Sequence, residues 1–185
     1  MRRLLALLAV VAPLAAEAAA AVVAGSTITC QNALGVGTMT CNAPANIQAD
    51  DVIVMVCGSR DNAAHTCSGA DCTGYTKKID ALGSTAARLS VWWKRTDGSE
   101  TALTMGHTSG TESFACGIGA YRGIDTGADP WDSGSQAGVE TEAAASALSN
   151  AGFSLATANS MVIGAFTAAD NNTTHTWSGT IGTPS

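Results

Sequence analysis

Three aromatic residues and one acidic loop carry the chemistry this sequence offers most directly. Trp92 stands on the polar side of an alternating run, Tyr121 near the end of another, and Trp131 in a loop. An exposed aromatic ring presents a flat apolar face with a polar edge, which suits stacking against a sugar ring. These three are the expected ligand-binding residues. Beside them lie Asp125, Asp129 and Asp132, hard oxygen donors that could hold Ca2+ and stiffen a binding loop. Their spacing is not that of a twelve-residue EF-hand loop, and Pro130 interrupts it. Turn-forming aspartates with no cofactor are therefore the simpler expectation.

Other chemistries find less support. His65, His107 and His175 are each followed by threonine, and no two share the i, i+2 or i, i+4 spacing of paired metal ligands. They are expected in solvated loops. No GxSxG elbow occurs, and no catalytic residue is assigned. Carboxylate pairs for glycoside hydrolysis need only nearness in space, so a glycan-active or metal-dependent enzyme stays as a third reading.

The elements that would position these residues read as strands. Short β-prone runs occur at 26–30, 38–41, 75–79, 101–105, 113–122 and 160–168, with turn residues between them. The run 52–57 is apolar on both alternating faces, as in a central strand covered on both sides. Lys77 and Lys78 mark 75–79 as an edge strand. In 87–95, Leu89, Val91 and Trp93 share one face, and Arg88, Ser90, Trp92 and Lys94 the other. In 113–122, Phe114, Cys116, Ile118 and Ala120 share a face, while Gly117 and Gly119 leave room opposite them. Residues 58–74 read as a long polar loop, and 143–148 as strand or irregular structure. Arg122 is expected to pair with Asp125, Asp129 or Glu112.

Six cysteines, at 30, 41, 57, 67, 72 and 116, allow fifteen pairings. Cys30 and Cys41 flank a turn-rich segment, so a bridge there would clasp a first hairpin. Cys67 and Cys72 bracket a short loop. Cys57 and Cys116 lie in strand-like runs that could meet across a core. The expected set is Cys30–Cys41, Cys67–Cys72 and Cys57–Cys116, each worth about 2–4 kcal/mol. Bridges imply an oxidising compartment, and the first residues agree. Two arginines, an apolar run and a small-residue stretch at 16–20 have the form of a secretory signal, assigned to residues 1–24. The rest, 25–185, is expected as one secreted, extracellular or periplasmic domain without a membrane span.

Loss of Arg2, Arg3 and Glu17 with the signal turns nine basic residues into seven and fifteen acidic into fourteen, a net charge of −7. Such a surface repels a phosphate backbone, which argues against nucleic acid as the main partner. Strands at short intervals without an amphipathic helix indicate an all-β, antiparallel sandwich of jelly-roll or Ig-like form. After Trp177 the sequence shows no further strand, so the expected sandwich lacks its last strand and leaves an open sheet edge for self-association.

From Asp51 onward the chain resembles a loosely defined group of bacterial and phage-associated β-sandwich domains. The shared residues are Ala49-Asp50-Asp51-Val52-Ile53-Val54, Gly74-Tyr75-Thr76, Ser90-Val91-Trp92-Trp93-Lys94 with Ser99-Glu100, Gly119-Ala120-Tyr121-Arg122-Gly123-Ile124, and Asp129-Pro130-Trp131-Asp132. The resemblance covers roughly residues 45–180 and implies a surface, adhesive or virion-appendage module. The chain departs from the group in its many cysteines and its missing final strand. Together these readings give a secreted binding or adhesion module that contacts a polysaccharide or cell-surface partner through loops at one end. A structural subunit of an appendage or virion-like assembly is the alternative.

Overall fold

The computed structural model describes residues 21–23, 28–31, 36–83, 87–108, 114–124, 127, 130 and 131. Nine strands run through them: β1 (Ala21–Val22), β2 (Ile28–Gln31), β3 (Thr38–Asn42), β4 (Val52–Ser59), β5 (His65–Ser68), β6 (Thr76–Gly83), β7 (Ala87–Arg95), β8 (Ala102–His107) and β9 (Phe114–Arg122). Helix is confined, among the described residues, to one 3-10 turn at Ala70–Cys72. All pairings are antiparallel and fall into two sheets. The larger has the order β1-β9-β4-β7-β6, with β2 also pairing β9, and the smaller has the order β3-β8-β5. The described residues thus form an all-β, sandwich-like fold of two open sheets.

Alternation in the strands decides what lies between the sheets. β3 buries Met39 and Cys41 while exposing Thr38, Thr40 and Asn42. With Leu103 and Met105 of β8 they meet Ile53, Met55 and Cys57 of β4, and Phe114, Cys116, Ile118 and Ala120 of β9. Each large apolar side chain moved into such a core stabilises it by about 1.5–3 kcal/mol. β4 lies between β9 and β7, and its Val52 and Val54 are buried on the other face as well. It is the doubly covered strand its sequence implies. β6 lies at a sheet edge, also as expected.

The three bridges join the expected cysteines, but two of them exchange places. Cys57 and Cys116 face each other on neighbouring strands of one sheet, their Cα atoms 4.1 Å apart. Cys30 on β2 and Cys41 on β3 belong to different sheets. The bridge that crosses the core is therefore Cys30–Cys41, and the expected core bridge is an in-sheet stitch. The spacing of 30 and 41 suggests a hairpin, yet β2 and β3 pair with β9 and β8 instead of each other. Cys67–Cys72 is the local clasp, from β5 to the 3-10 turn.

Residues 58–74 are more ordered than a polar loop. β5 lies within them because His65 and Cys67 turn inward while Thr66 and Ser68 are exposed, an alternation built from polar residue types. Residues 143–148 and 160–168, His175 and Trp177 lie outside the described residues.

Candidate functional site

The two adjacent tryptophans of β7 point to opposite sides of the larger sheet, and their placement is the reverse of the one their strand pattern implies. Trp92 pairs in register with Met55, and Trp93 with Val54. Met55 lies in the core between the sheets, so the face bearing Arg88, Ser90, Trp92 and Lys94 is the inward one. Trp92 packs against that core, donates its Nε1 hydrogen to Ser90 Oγ at 3.0 Å, and carries Lys77 Nζ 4.7 Å above its ring. It is a structural residue here. Trp93 takes the outward position.

On the outer face, Val52, Val54 and Val91 form a buried floor, against which Val56, Ile79, Trp93, Tyr121, Ile124 and Trp131 pack while remaining half-buried. Two of the three expected binding residues, Tyr121 and Trp131, thus meet on one surface. Trp93 joins them, and the sequence pattern gave it to the apolar face without showing which face the second sheet would cover. β9 makes room for this arrangement. A Cβ at Gly119 would meet the Tyr121 hydroxyl at 3.0 Å and the ring carbon beside it at 3.3 Å. Glycine there lets the phenol ring fold back along its own strand. A register shift between Lys77 and Ile79 inserts Lys78 into β6, and Lys78 Nζ lies 5.9 Å from the Trp131 ring centre. The patch is aromatic with a cation at its margin.

A charged pair fastens the end of β9 that presents Tyr121. Asp51, 1% exposed, accepts from Arg122 Nε at 2.8 Å on one oxygen and from Nη2 at 2.7 Å on the other. The Gln48 amide donates to the same carboxylate at 2.8 Å. Arg122 holds this carboxyl below the usual range, against the opposing effect of burial. Among the described residues Arg122 pairs with Asp51, because β4 and β9 lie side by side and put Asp51 next to the strand's end; Glu112, Asp125 and Asp129, the expected partners, lie outside the described residues. Nearby, Lys94 Nζ lies 2.9 Å from Glu100 and 5.8 Å from the Tyr75 ring centre, and Thr96 Oγ1 donates to Glu100. Burial raises the Tyr121 phenol above its ordinary value, which keeps it a neutral hydrogen-bond donor at physiological pH.

His65 and His107 form a second cluster, buried and not in solvated loops. They face each other across β5 and β8 with ring centres 5.7 Å apart, and both stack on Phe114. His65 Nδ1 lies 2.8 Å from Ser90 Oγ, and His107 Nε2 2.7 Å from Asp61. Their remaining ring nitrogens, His65 Nε2 and His107 Nδ1, have no hydrogen-bond partner among the described residues. Burial, with neighbouring cations, lowers His65 to about 4. Serine, imidazole and carboxylate are all present, but the carboxylate holds one histidine and the serine the other. Ser90 is also fully buried, so its hydroxyl cannot meet a substrate as a nucleophile.

Asp125, Asp129 and Asp132 lie outside the described residues. Among the described residues, the one group of three metal-type ligand atoms is Cys30, Cys41 and Cys116. All three are in disulfides, so they supply no thiolates to a metal. No helix in the described residues is long and apolar enough to cross a membrane. Comparison with known protein families, curated proteins and solved structures finds no match.

Proposed function

We propose that this protein is a secreted binding or adhesion module that holds a polysaccharide on the outer face of its larger sheet, through Trp93, Tyr121 and Trp131. One observation carries the reading: three half-buried aromatic residues gather on one sheet face, over a floor of buried valines. Stacking of a sugar ring's apolar face rewards flat apolar surfaces held rigidly in place. Here the rigidity comes from the Asp51–Arg122 pair and from the close seat of Tyr121 on Gly119. Lys78 adds a donor at the margin. Three disulfides fit an exported, hardened domain, as does the signal-like start. The residues behind the resemblance to surface modules include Asp51, Trp93, Tyr121, Arg122 and Trp131, which supply this face and its anchor.

A glycan array probed with the mature chain tests the proposal. Binding to at least one class of neutral glycan is expected, weakened about tenfold by Trp131→Ala, as loss of about 1.4 kcal/mol implies. An array without a hit, or a hit indifferent to Trp131→Ala, would sink it.

An assembly subunit is the second reading, favoured by edges at β3, β5 and β6 that carry no further strand among the described residues. Against it, β6 has two lysines and a register shift, devices that blunt an edge. Size exclusion with light scattering separates the two: a stable monomer at high concentration excludes assembly through an edge.

A further inference from the structure

Cys116 stands between two cysteines. On one side β2 places Cys30 opposite it in register, and on the other β4 places Cys57 opposite it. The Sγ atoms of Cys30, Cys41 and Cys116 lie within 4.8 Å of one another. Two disulfides, Cys30–Cys41 and Cys57–Cys116, are therefore neighbours whose sulfurs are within reach of exchange.

Thiol–disulfide exchange proceeds by attack of a thiolate on one sulfur of a bridge, with the far sulfur leaving along the line of approach. Because β9 lies between β2 and β4, the backbones of Cys30 and Cys57 flank Cys116 on opposite sides. The product bridge would join Cys30 to Cys116, directly opposed residues of adjacent strands, as the existing Cys57–Cys116 bridge does. No change of register is needed. Cys30 is also the half-buried member of the group, while Cys41, Cys57 and Cys116 are at most 2% exposed, so an external thiol meets the group at Cys30–Cys41.

We propose that Cys30, Cys116 and Cys57 form an intramolecular exchange relay triggered by a dithiol reductant. The dithiol gives two electrons and two protons to the Cys30–Cys41 bridge and closes into its own disulfide. Cys30 then loses its proton and bonds to Cys116 Sγ. Cys57 Sγ leaves with the bonding pair and takes up a proton, and no further electrons enter. The end state has a Cys30–Cys116 bridge and two free thiols, Cys41 and Cys57. Its consequence is mechanical: the covalent link between the two sheets is gone, while the larger sheet stays stitched across β2 and β9.

Graded dithiothreitol on the oxidised full chain, acid quenching, alkylation and peptide mapping test the relay. Cys67 and Cys72 are scored apart, because their local bridge takes no part. In chains that have lost one of the other two bridges, label is expected on Cys41 and Cys57, with Cys30–Cys116 intact. Label on Cys30 and Cys41, with Cys57–Cys116 intact, overturns the proposal. The double variant Cys41→Ser/Cys57→Ser gives an independent reading: after oxidative folding its two remaining core cysteines are expected as a Cys30–Cys116 bridge, and a folded chain with both left as thiols contradicts the relay.

Discussion

At the scale of single residues, neighbours in the sequence divide the work between holding the fold and offering a surface. Trp92 is held by Ser90 and Lys77 between the sheets, whereas Trp93 lies over the valine floor outside. His65 has a measurable consequence of its own. Its folded value is about 4 against an ordinary 6.5, so as the pH falls below 6.5 the unfolded chain takes up a proton that the folded chain refuses. Stability is whole above 6.5 and drops as the pH approaches 4, by about 3 kcal/mol at most. Urea unfolding of the wild type from pH 7 to 4.5 should show this slope, and His65→Gln should flatten it. An equal slope in the variant would assign the effect elsewhere. Asp51 acts in a lower window, since its depressed carboxyl loses its contribution only as the pH falls through and below the ordinary carboxylate range.

At the scale of elements, the bridges differ in how much chain they close. The separations are 59 residues for Cys57–Cys116, 11 for Cys30–Cys41 and 5 for Cys67–Cys72. Loop-closure entropy then gives about 4, 3 and 2 kcal/mol in that order. Replacing each pair by alanines should lower the urea midpoint in the same sequence, and a larger loss from the Cys67/Cys72 pair would show that strain or packing, not chain entropy, sets the order. Much at this scale was legible beforehand. Thr-rich runs located β2 and β3, apolar runs and alternation β4, β7 and β9, short β-prone runs β6 and β8, with lysines marking β6 as an edge, and position in the chain paired the cysteines. What stayed hidden depended on partners far away in the chain. Nothing within 87–95 says which face the smaller sheet covers; that is settled by pairing Trp92 with Met55. β5 escaped because its inward residues, His65 and Cys67, are not aliphatic. For the same reason the candidate surface was half legible: residue type singled out Tyr121 and Trp131, while placing Trp93 beside them needed the sheet.

For the whole molecule, the two sheets join through one covalent link, Cys30–Cys41, and through a core that reaches back to the chain's first described strand. β1 pairs Ala21 with Arg122 and Val22 with Tyr121, and Val23 is buried with its amide donating to Ala120 at 2.9 Å. Residues assigned to the signal by sequence therefore brace the same end of β9 that presents the aromatic face. On the proposed export, mass spectrometry of the secreted chain should find a mature start no later than Ala21, as cleavage after Ala20 would give; a start at Gly25 would contradict the brace. The central claim is that a glycan sits on the outer face of the larger sheet. Its most direct test is co-sedimentation of the mature chain with insoluble cellulose, chitin and xylan, comparing wild type with Trp93→Ala and Trp92→Phe, each first checked for folding. Retention on at least one polysaccharide is predicted for wild type and Trp92→Phe, with about tenfold weaker retention for Trp93→Ala, a loss of about 1.4 kcal/mol. No retention of the wild type on any of them, or equal retention of all three proteins, would contradict it.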